Sequence, residues 1–430
     1  MNTPLYDAIK DYISKDFSRF HMPGHKGAVE FDVTELPGIE SLYGNKGAIA
    51  HTEKLYSEIY GTKASFLSAG GSTLCIQAML TLACPPGSKI IMARGVHTSC
   101  VSAMALLDLH PVWLMPVGEH WLSTDAQCAT LHQALTANPD ASAVYITSPS
   151  YYGIISDVAA VSAVCREFNV PLLCDNAHGA YLRFLPDPMH PMDLGADMCC
   201  DSLHKTLPAL TGAALLHINN ERFIPGAKRA MSLFGSTSPS FLILLSADLL
   251  LPYLAGDVRD DMRRLCKTAD ELRTLSRESG CTIPQGVPSP LHLTLGGKDL
   301  SKHLEANHIT PEYTDSEWCV LLLGVGNTDR DYDRLRATLA LFSKEGTDSS
   351  RRVFCPGVPP GIPEQVCSIR EATFAPSREI RIDDAAGKIA AGMVTACPPG
   401  IPVLISGERI DNNAVTLLKN SGILSINVVY

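Results

Sequence analysis

The chain has 430 residues, of which 46% are hydrophobic and 19% are charged, a composition typical of a large globular protein with two or three domains. Its formal net charge of −10, without any basic run, argues against nucleic acid as the main partner. The 14 cysteines include no C-x-x-C pair, so the sequence predicts reduced thiols and no metal site.

The N-terminal stretch MNTPLYDAIKDYISKDFSRF is amphipathic and mixed in charge, and it lacks the apolar core of a signal peptide. The longest apolar run, FLILLSADLLLPYLAG, is interrupted by Asp248 and is too short to span a bilayer. We therefore expect a soluble, cytoplasmic protein with no membrane partner.

Short β-branched runs alternate with helical stretches between residues 64 and 219. This alternation predicts an α/β domain with a mainly parallel sheet that helices cover on both faces. The predicted strands, in chain order, are ASFLS, KIIMA, VWLMPV, SAVYIT, VPLLCD, MCCDS and AALLHI. The predicted helices begin near Thr73 and Thr98 and then cover about residues 125–137 and 158–168.

Residues 220–280 are predicted to be helical throughout, and they end in the charged amphipathic run DVRDDMRRLCKTADELRTLSRES. The Gly/Pro cluster GCTIPQGVPSP then predicts a domain boundary. Beyond it, the strands LHLTL and WCVLLLGV alternate with helices, which predicts a smaller C-terminal α+β domain. The expected domains are thus residues 61–280 and 281–430, after an N-terminal segment of residues 1–60.

Three polar features follow predicted strands of the large domain, where ligands bind in open α/β sheets. Gly70–Thr73 join a strand to a helix, so they could hold a phosphate at the helix N-terminus or form a plain capped turn. Asp175 ends the strand LLCD, where a carboxylate could also cap the next segment. Lys205 follows the next strand; a solvated surface lysine is the default, but the apolar flanks on both sides argue against it.

Together these features fit pyridoxal phosphate, which needs an amine for its aldehyde, an acid for its ring nitrogen and a cradle for its phosphate. An aspartate keeps the ring nitrogen protonated, and the ring then acts as an electron sink. A second His-Lys pair, His25-Lys26, precedes the strand-helix series and has no upstream carboxylate partner. We therefore expect Lys205 to carry the cofactor and the segment of residues 1–60 to line the active site.

Five motifs, in order along the chain, resemble the Orn/Lys/Arg decarboxylase family: FHMPGHKG, SAGGST, DNAHGAY, DSLHKTLPALTG and CPPGIPVLISGERI. The resemblance extends from Pro4 to about Asp411. It implies a pyridoxal-phosphate enzyme of the aspartate-aminotransferase fold (fold type I) that converts arginine, lysine or ornithine to the corresponding amine and CO2. The alternatives are an aminotransferase or lyase on the same fold and a catalytically silent relative.

The resemblance also implies a role for each matching position. Lys205 would bind the cofactor covalently and Asp175 would pair with the pyridine nitrogen. His97 would stack on the ring, unless it is only a satisfied polar residue at a strand end. Either His204 or Lys205 would return a proton to the substrate. Further cofactor contacts are implied for Gly71, Ser72, Thr73, Ser202 and His204 at the phosphate and for Ala177 and His178 beside the ring.

Two more segments carry implied roles. Ser236, Thr237 and Ser238, in GSTSPS, resemble a segment that reaches the phosphate of a neighbouring subunit, which implies a homodimer with shared active sites; a helix entry is the alternative. Glu408, in ISGERI, would meet the cationic tail of the substrate, unless it is a solvent-facing loop residue.

The chain departs from the family pattern at two positions near the site. Ala69 and Asn176 stand where Asn and Glu are frequent in the family, so the details of the pocket are expected to differ. The chain also begins close to the GHKG motif, so we expect it to lack the receiver-like N-terminal domain of the large inducible enzymes and to form a dimer.

Overall fold

The computed structural model describes residues 2–114, 127–315, 318–342, 362–395 and 402–430. The chain divides into two compact units, each assembled from separate stretches of sequence. The first unit comprises residues 1–82, 173–271 and 323–329, and the second comprises residues 83–172, 272–322 and 330–430. The domain boundaries near residues 60 and 280 stay predictions from the sequence.

The secondary structure alternates strands and helices through the first half of the chain. The strands are β1 (Ala64–Ser68), β2 (Lys89–Ala93), β3 (His110–Leu114), β4 (Val144–Thr147), β5 (Ile154–Ile155), β6 (Leu172–Asp175), β7 (Met198–Ser202), β8 (Ala214–Ile218), β9 (Val287–Pro288), β10 (His292–Gly296), β11 (Tyr313–Thr314), β12 (Trp318–Leu322), β13 (Ser377–Arg381), β14 (Val394–Thr395), β15 (Pro402–Leu404) and β16 (Ser425–Val429).

The α-helices are α1 (Pro4–Ser14), α2 (Gly47–Tyr60), α3 (Gly71–Ala83), α4 (Thr98–Leu107), α5 (Gln127–Ala137), α6 (Val158–Glu167), α7 (Leu203–Thr206), α8 (Ala227–Ser232), α9 (Phe241–Asp248), α10 (Leu251–Ala255), α11 (Val258–Glu278), α12 (Leu300–Ala306), α13 (Asp329–Leu341), α14 (Ile369–Phe374) and α15 (Asn412–Asn420). Short 3-10 helices cover Ala180–Phe184, Glu221–Gly226 and Ile382–Asp384. The predicted strands are confirmed, except that the end of VWLMPV lies outside the described residues, as does the start of the helix predicted near residue 125.

In the first unit, the strands lie in the order β1-β8-β7-β6. β6 and β7 are parallel, whereas β8 runs antiparallel to both of its neighbours. Because of this register, Ser68 at the end of β1 and Ser202 at the end of β7 both pair with Ala214. The ends of β1, β6 and β7 therefore meet at one edge of the sheet.

The strands β6, β7 and β8 are buried along their whole length, as apolar runs covered on both faces should be. The cysteines in this core are free thiols, and burial raises the pKa of the Cys75 thiol to about 12. These cysteines act as small apolar side chains, as the sequence predicts.

In the second unit, β2 pairs in parallel with β3 and with β4. The small antiparallel sheets of this unit join β10, β12 and β11, β13 and β16, β14 and β15, and β5 and β9. The parallel ladders of both units and the α+β character of the C-terminal part confirm the predicted fold class, with β8 as an antiparallel member that the prediction did not specify.

The prediction of continuous helix over residues 220–280 is wrong. Residues 233–240 form turns between α8 and α9, and Gly256 and Asp257 separate α10 from α11. Asp248, within the apolar run, is fully buried and accepts hydrogen bonds from Thr52 Oγ1 at 2.5 Å and from the backbone nitrogen of Tyr6 at 2.9 Å. This carboxylate thus ties α9 to the first turn of α1.

Within the described residues, none of the helices is by itself both long and apolar enough to cross a membrane. The bent pair Phe241–Ala255 and Val258–Glu278 meets that criterion only when its two parts are taken together.

Candidate active site

Four of the predicted site elements converge at one edge of the first unit's sheet. Asp175 ends β6 opposite Cys200 of β7, and Ser202 ends β7. Lys205 lies one turn further, in α7, within the connection from β7 to β8. The phosphate turn follows β1, whose last residue lies two strands from Ser202, roughly 10 Å away at ordinary strand spacing.

The lysine and the strand-end aspartate are linked by the turn that follows β6. Lys205 Nζ lies 2.9 Å from His178 Nε2. Asp175 is 3% exposed, and its Oδ1 accepts a hydrogen bond from the backbone nitrogen of Ala177 at 3.1 Å. A hydrogen bond of 2.7 Å from the Gly179 nitrogen to the Asn176 oxygen closes the turn. One short turn therefore carries both Asp175 and the imidazole that meets Lys205.

The predicted phosphate turn has the backbone geometry that a glycine permits. Gly71 has a φ of +67°, and a Cβ built there would have no atom within 4 Å. Its nitrogen donates to the Gly212 oxygen at 2.9 Å, and α3 begins at this residue. Ser72 and Thr73 therefore lie in the first turn of a helix, where backbone N–H groups lack intrahelical acceptors.

Ser202 adds an observation that points to a ligand. Its side chain is 1% exposed, and its Oγ has no hydrogen-bond partner among the described residues. A buried hydroxyl without a partner is costly, and a phosphate bound at this edge would give it an acceptor. These residues therefore fit the phosphate that the sequence predicts at this edge.

His204 is held by the backbone of the same connection. Its Nδ1 lies 3.1 Å from the Ala213 oxygen and 3.3 Å from the Gly212 nitrogen. Burial lowers the pKa of His204 from its ordinary value, and the charge of Lys205 adds to the decrease. An imidazole that is neutral at neutral pH is a weak proton donor. This favours the Lys205–His178 pair over His204 as the group that would return a proton to the substrate.

The segment GSTSPS lies next to the phosphate turn of its own chain. Ser236 and Ser238 line a cavity of about 220 Å³ together with Gly70, Thr73 and Tyr43. Thr237, between the two serines, is exposed. This placement offers these hydroxyls to a phosphate within the same chain, whereas the sequence predicts that they serve a neighbouring subunit.

The wall of this cavity is fixed by a buried ion pair. Lys228 donates to the oxygens of Leu42 and Gly44, on either side of Tyr43, at 2.8 and 2.7 Å. Its Nζ also lies 2.7 Å from Glu53 Oε2. Burial raises the pKa of Glu53 to about 7, against the lowering effect of Lys228.

His97 and Lys26 have local contacts of their own. His97 lies in the second unit, where its Nδ1 accepts from the Ser99 nitrogen at 3.2 Å and caps α4. Lys26 is exposed and donates to the His21 oxygen within its own loop at 2.6 Å, so the structure gives no support to this lysine as the cofactor site.

Glu408 forms a buried ion pair with Arg94 within the second unit. It is fully buried, and its two oxygens accept from Arg94 Nη1 and Nη2 at 2.6 and 2.8 Å. The Ile405 nitrogen donates to Oε2 at 2.8 Å. The alternative of a solvent-facing loop residue is therefore wrong. The bidentate pair also neutralises the charge that a cationic substrate tail would need.

One group of buried polar residues beneath the site could not be predicted from the sequence. Asp201 accepts hydrogen bonds from Asn176, His190 and His217. Asp201 and Asn176 stand within the motifs DSLHKTLPALTG and DNAHGAY, but His190 and His217 belong to none of the five motifs.

Comparisons with known proteins show the family and the fold. Residues 3–291 match the family described as "Orn/Lys/Arg decarboxylase, major domain", and residues 358–421 match its C-terminal domain. The chain is 30% identical to the uncharacterized protein YaaO of Bacillus subtilis, covering 97% of this chain and 94% of that protein. It is 29% identical to an arginine decarboxylase of Bacillus subtilis, covering 97% and 93%.

Among solved structures, the lysine decarboxylase LdcF of Francisella novicida superposes with a TM-score of 0.80 over 100% of this chain and 81% of that one. The two sequences are only 17% identical, so this similarity speaks to the fold alone. It confirms the fold that the sequence motifs imply.

Proposed function

Because this chain belongs to the Orn/Lys/Arg decarboxylase family, we propose that it removes CO2 from L-arginine, with pyridoxal phosphate held on Lys205. Family membership makes the chain a pyridoxal-phosphate-dependent decarboxylase of a basic amino acid. The choice of arginine is supported by the similarity, along nearly all of both chains, to a relative named arginine decarboxylase.

The residues at the sheet edge fit the cofactor. Gly71, Ser72 and Thr73, at the start of α3, and the unpartnered hydroxyl of Ser202 would hold the phosphate. Asp175, which ends β6 in a buried position, would pair with the pyridine nitrogen. When bound, the cofactor supplies an electron sink for the bond to the departing carboxylate.

The observation that carries the assignment of Lys205 is its 2.9 Å contact with His178. A hydrogen bond at this distance needs one nitrogen to donate and the other to accept. If His178 accepts a proton from Lys205, the lysine would be the neutral amine that an aldehyde requires, and that proton would be available for return to the substrate. His178 is 6% exposed, so such a proton would be shielded from solvent.

An assay with three substrates tests this function. The purified protein with pyridoxal phosphate should release CO2 and the matching amine from L-arginine, and more slowly or not at all from L-lysine and L-ornithine. Lys205→Ala should abolish release, whereas Lys26→Ala, at the other His-Lys pair, should still release CO2 because the lysine that binds the cofactor remains. A keto acid in place of an amine would identify an aminotransferase, and a lysine preference would overturn the choice of arginine.

We propose further that the protein is a cytoplasmic homodimer. The resemblance of GSTSPS to a cross-subunit segment supports the dimer, and the free thiols of the described cysteines support a reducing compartment. Mixing a Lys205→Ala chain with a chain altered to alanine at residues 236–238 should restore part of the activity, since one site would receive both intact halves. With subunit exchange verified, no recovery would assign the segment to its own chain's site, where it lines the cavity beside Gly70.

A further inference from the structure

We infer that Asp201 is a positioning residue: through Asn176 it holds the turn that carries Asp175 and His178 against Lys205. The inference concerns the site of the proposed decarboxylase and rests on that function. It assigns a task to a buried carboxylate that neither binds the cofactor nor touches the lysine among the described contacts.

The alternation of side chains along the two parallel strands places Asp201 behind the site. Asp175 pairs in register with Cys200, and the Cys200 thiol lies 3.5 Å from Asp175 Oδ1. The next residues of both strands point to the opposite face of the sheet, where Asn176 Nδ2 donates to Asp201 Oδ1 at 2.6 Å. The turn is thus anchored from the face opposite to the one that carries Asp175.

Asn176 is the centre of this anchor. Its backbone nitrogen donates to the Cys200 oxygen at 3.0 Å, and its backbone oxygen accepts from Gly179. A Cβ at Gly179 would lie only 1.9 Å from Asn176 Oδ1, so the side chain packs directly over the glycine. Fixing the amide of Asn176 therefore fixes both ends of the turn.

The carboxylate of Asp201 is itself held by two histidines. His190 Nε2 and His217 Nε2 lie 3.0 and 3.2 Å from its Oδ2, and all three side chains are fully buried. Burial alone would raise the pKa of Asp201, but its electrostatic interaction with His190 and the hydrogen bonds from both histidines hold it well below its ordinary value. A buried, ionised and fully bonded carboxylate is a rigid acceptor for Asn176.

The same cluster has metal-ligand chemistry, since His190, Cys199 and Asp201 bring ligand atoms within 4.8 Å of one another. One observation favours hydrogen bonding over a metal. His190 Nδ1 accepts from the Met192 nitrogen at 3.4 Å, which leaves Nε2 as the ring nitrogen that donates to Asp201.

Three variants of the cofactor-loaded enzyme test the inference. Asp201→Asn removes the charge at constant size, and the exchange Asn176→Asp with Asp201→Asn restores an Asp–Asn pair with the two groups interchanged. Asp197→Asn is the matched control, because Asp197 precedes the other end of β7 and accepts from Asn220 Nδ2 at 2.8 Å. Each variant is measured for cofactor Kd, the pH midpoint of the lysine-bound cofactor's absorption, kcat and KM for arginine, Tm and metal content.

Displacement of the turn by Asp201→Asn should lower kcat about 10- to 100-fold, the scale of an error near 1 Å in catalytic geometry, with KM little changed. The pH midpoint of the lysine-bound cofactor's absorption should shift by about half a pH unit or more, because displacement of the turn changes the charges around the lysine. The exchange should recover most of kcat, and Asp197→Asn should change neither quantity.

A purely structural role would lower Tm in Asp201→Asn and leave kcat and the spectral midpoint as in Asp197→Asn, which would overturn the inference. Stoichiometric metal in the wild type, lost in Asp201→Asn, would overturn it as well. If the loaded wild type does not decarboxylate arginine, the proposed function fails. The spectral midpoint and the cofactor Kd then still decide the role of Asp201.

Discussion

Replacing Glu408 by Gln distinguishes a buried ion pair from a contact with the substrate. In the structure both oxygens of Glu408 bind Arg94, which is 5% exposed and also lies over the Trp113 ring at 5.0 Å. Glu408→Gln keeps the shape of the side chain but leaves the guanidinium of Arg94 buried without a counter-charge. The structure therefore predicts a loss of stability, whereas the sequence motif alone predicts a loss of substrate binding.

The size of the effect follows from the burial of both partners. Breaking a buried pair by removing one charge costs about 3–5 kcal/mol, because the remaining charge is neither solvated nor paired. For a chain of 430 residues this corresponds to a fall in Tm of about 3–6 °C. Replacing both partners, as in Arg94→Met with Glu408→Leu, should cost much less, since no buried charge remains.

The assay combines thermal unfolding with steady-state kinetics on the cofactor-loaded enzyme. Glu364→Gln is the matched control, because Glu364 pairs with Arg409 at 2.8 Å in an exposed position and should contribute less than about 1 kcal/mol. Glu408→Gln should lower Tm without a large change in kcat/KM for arginine at a temperature where the variant is folded. An unchanged Tm with a fall of about 30-fold or more in kcat/KM, equivalent to about 2 kcal/mol, would refute this reasoning and assign Glu408 to the substrate.

Three further predictions test the cofactor site and its support. Ser202→Ala should raise the Kd of pyridoxal phosphate about 10- to 100-fold, because a hydrogen bond to a charged group contributes about 1.5–3 kcal/mol. The cofactor-free variant should keep the Tm of the wild type, because the lost hydroxyl has no partner among the described residues. An unchanged Kd in a titration would contradict this prediction. Asp175→Asn should retain cofactor but lose about 100-fold or more in kcat, as for loss of other electrostatic stabilisers; full activity would show that another group supports the ring nitrogen. The pKa of Glu53 is raised to about 7 in the folded state, from 4.5 in the unfolded state. The folded state therefore holds a proton that the unfolded state has already released between these pH values. The stability that this proton contributes is complete below pH 4.5 and is lost as the pH rises through 7. Urea unfolding between pH 5 and 8 should show this decrease in the wild type and a flatter profile in Glu53→Gln; parallel profiles would exclude it.

The strands and the sheet-edge site were predictable because both depend on local sequence. Runs such as LLCD and MCCDS are apolar over their whole length, which indicates strands buried on both faces. Polar residues that follow such strands lie at one edge of the sheet by the geometry of parallel pairing, so Asp175 and Lys205 could be placed together in advance.

What the sequence did not reveal depends on partners that are distant along the chain. Arg94 and Glu408 are separated by 314 positions, and no sequence pattern indicates that they form a pair. Asp201 lies four positions before Lys205 in the sequence. Its role depends on hydrogen bonds with His190 and His217, which are brought close to it only by the fold. The break at residues 233–240 was missed although the segment GSTSPS within it is rich in Gly, Ser and Pro, which favour turns.

The most direct test of the central claim is to reduce the cofactor-loaded protein with borohydride and map the modified peptide. We expect a single pyridoxyl group on Lys205, whose amine lies 2.9 Å from His178 Nε2 at the edge of the sheet. A pyridoxyl group on Lys26, or on any other lysine, with Lys205 unmodified, would contradict it.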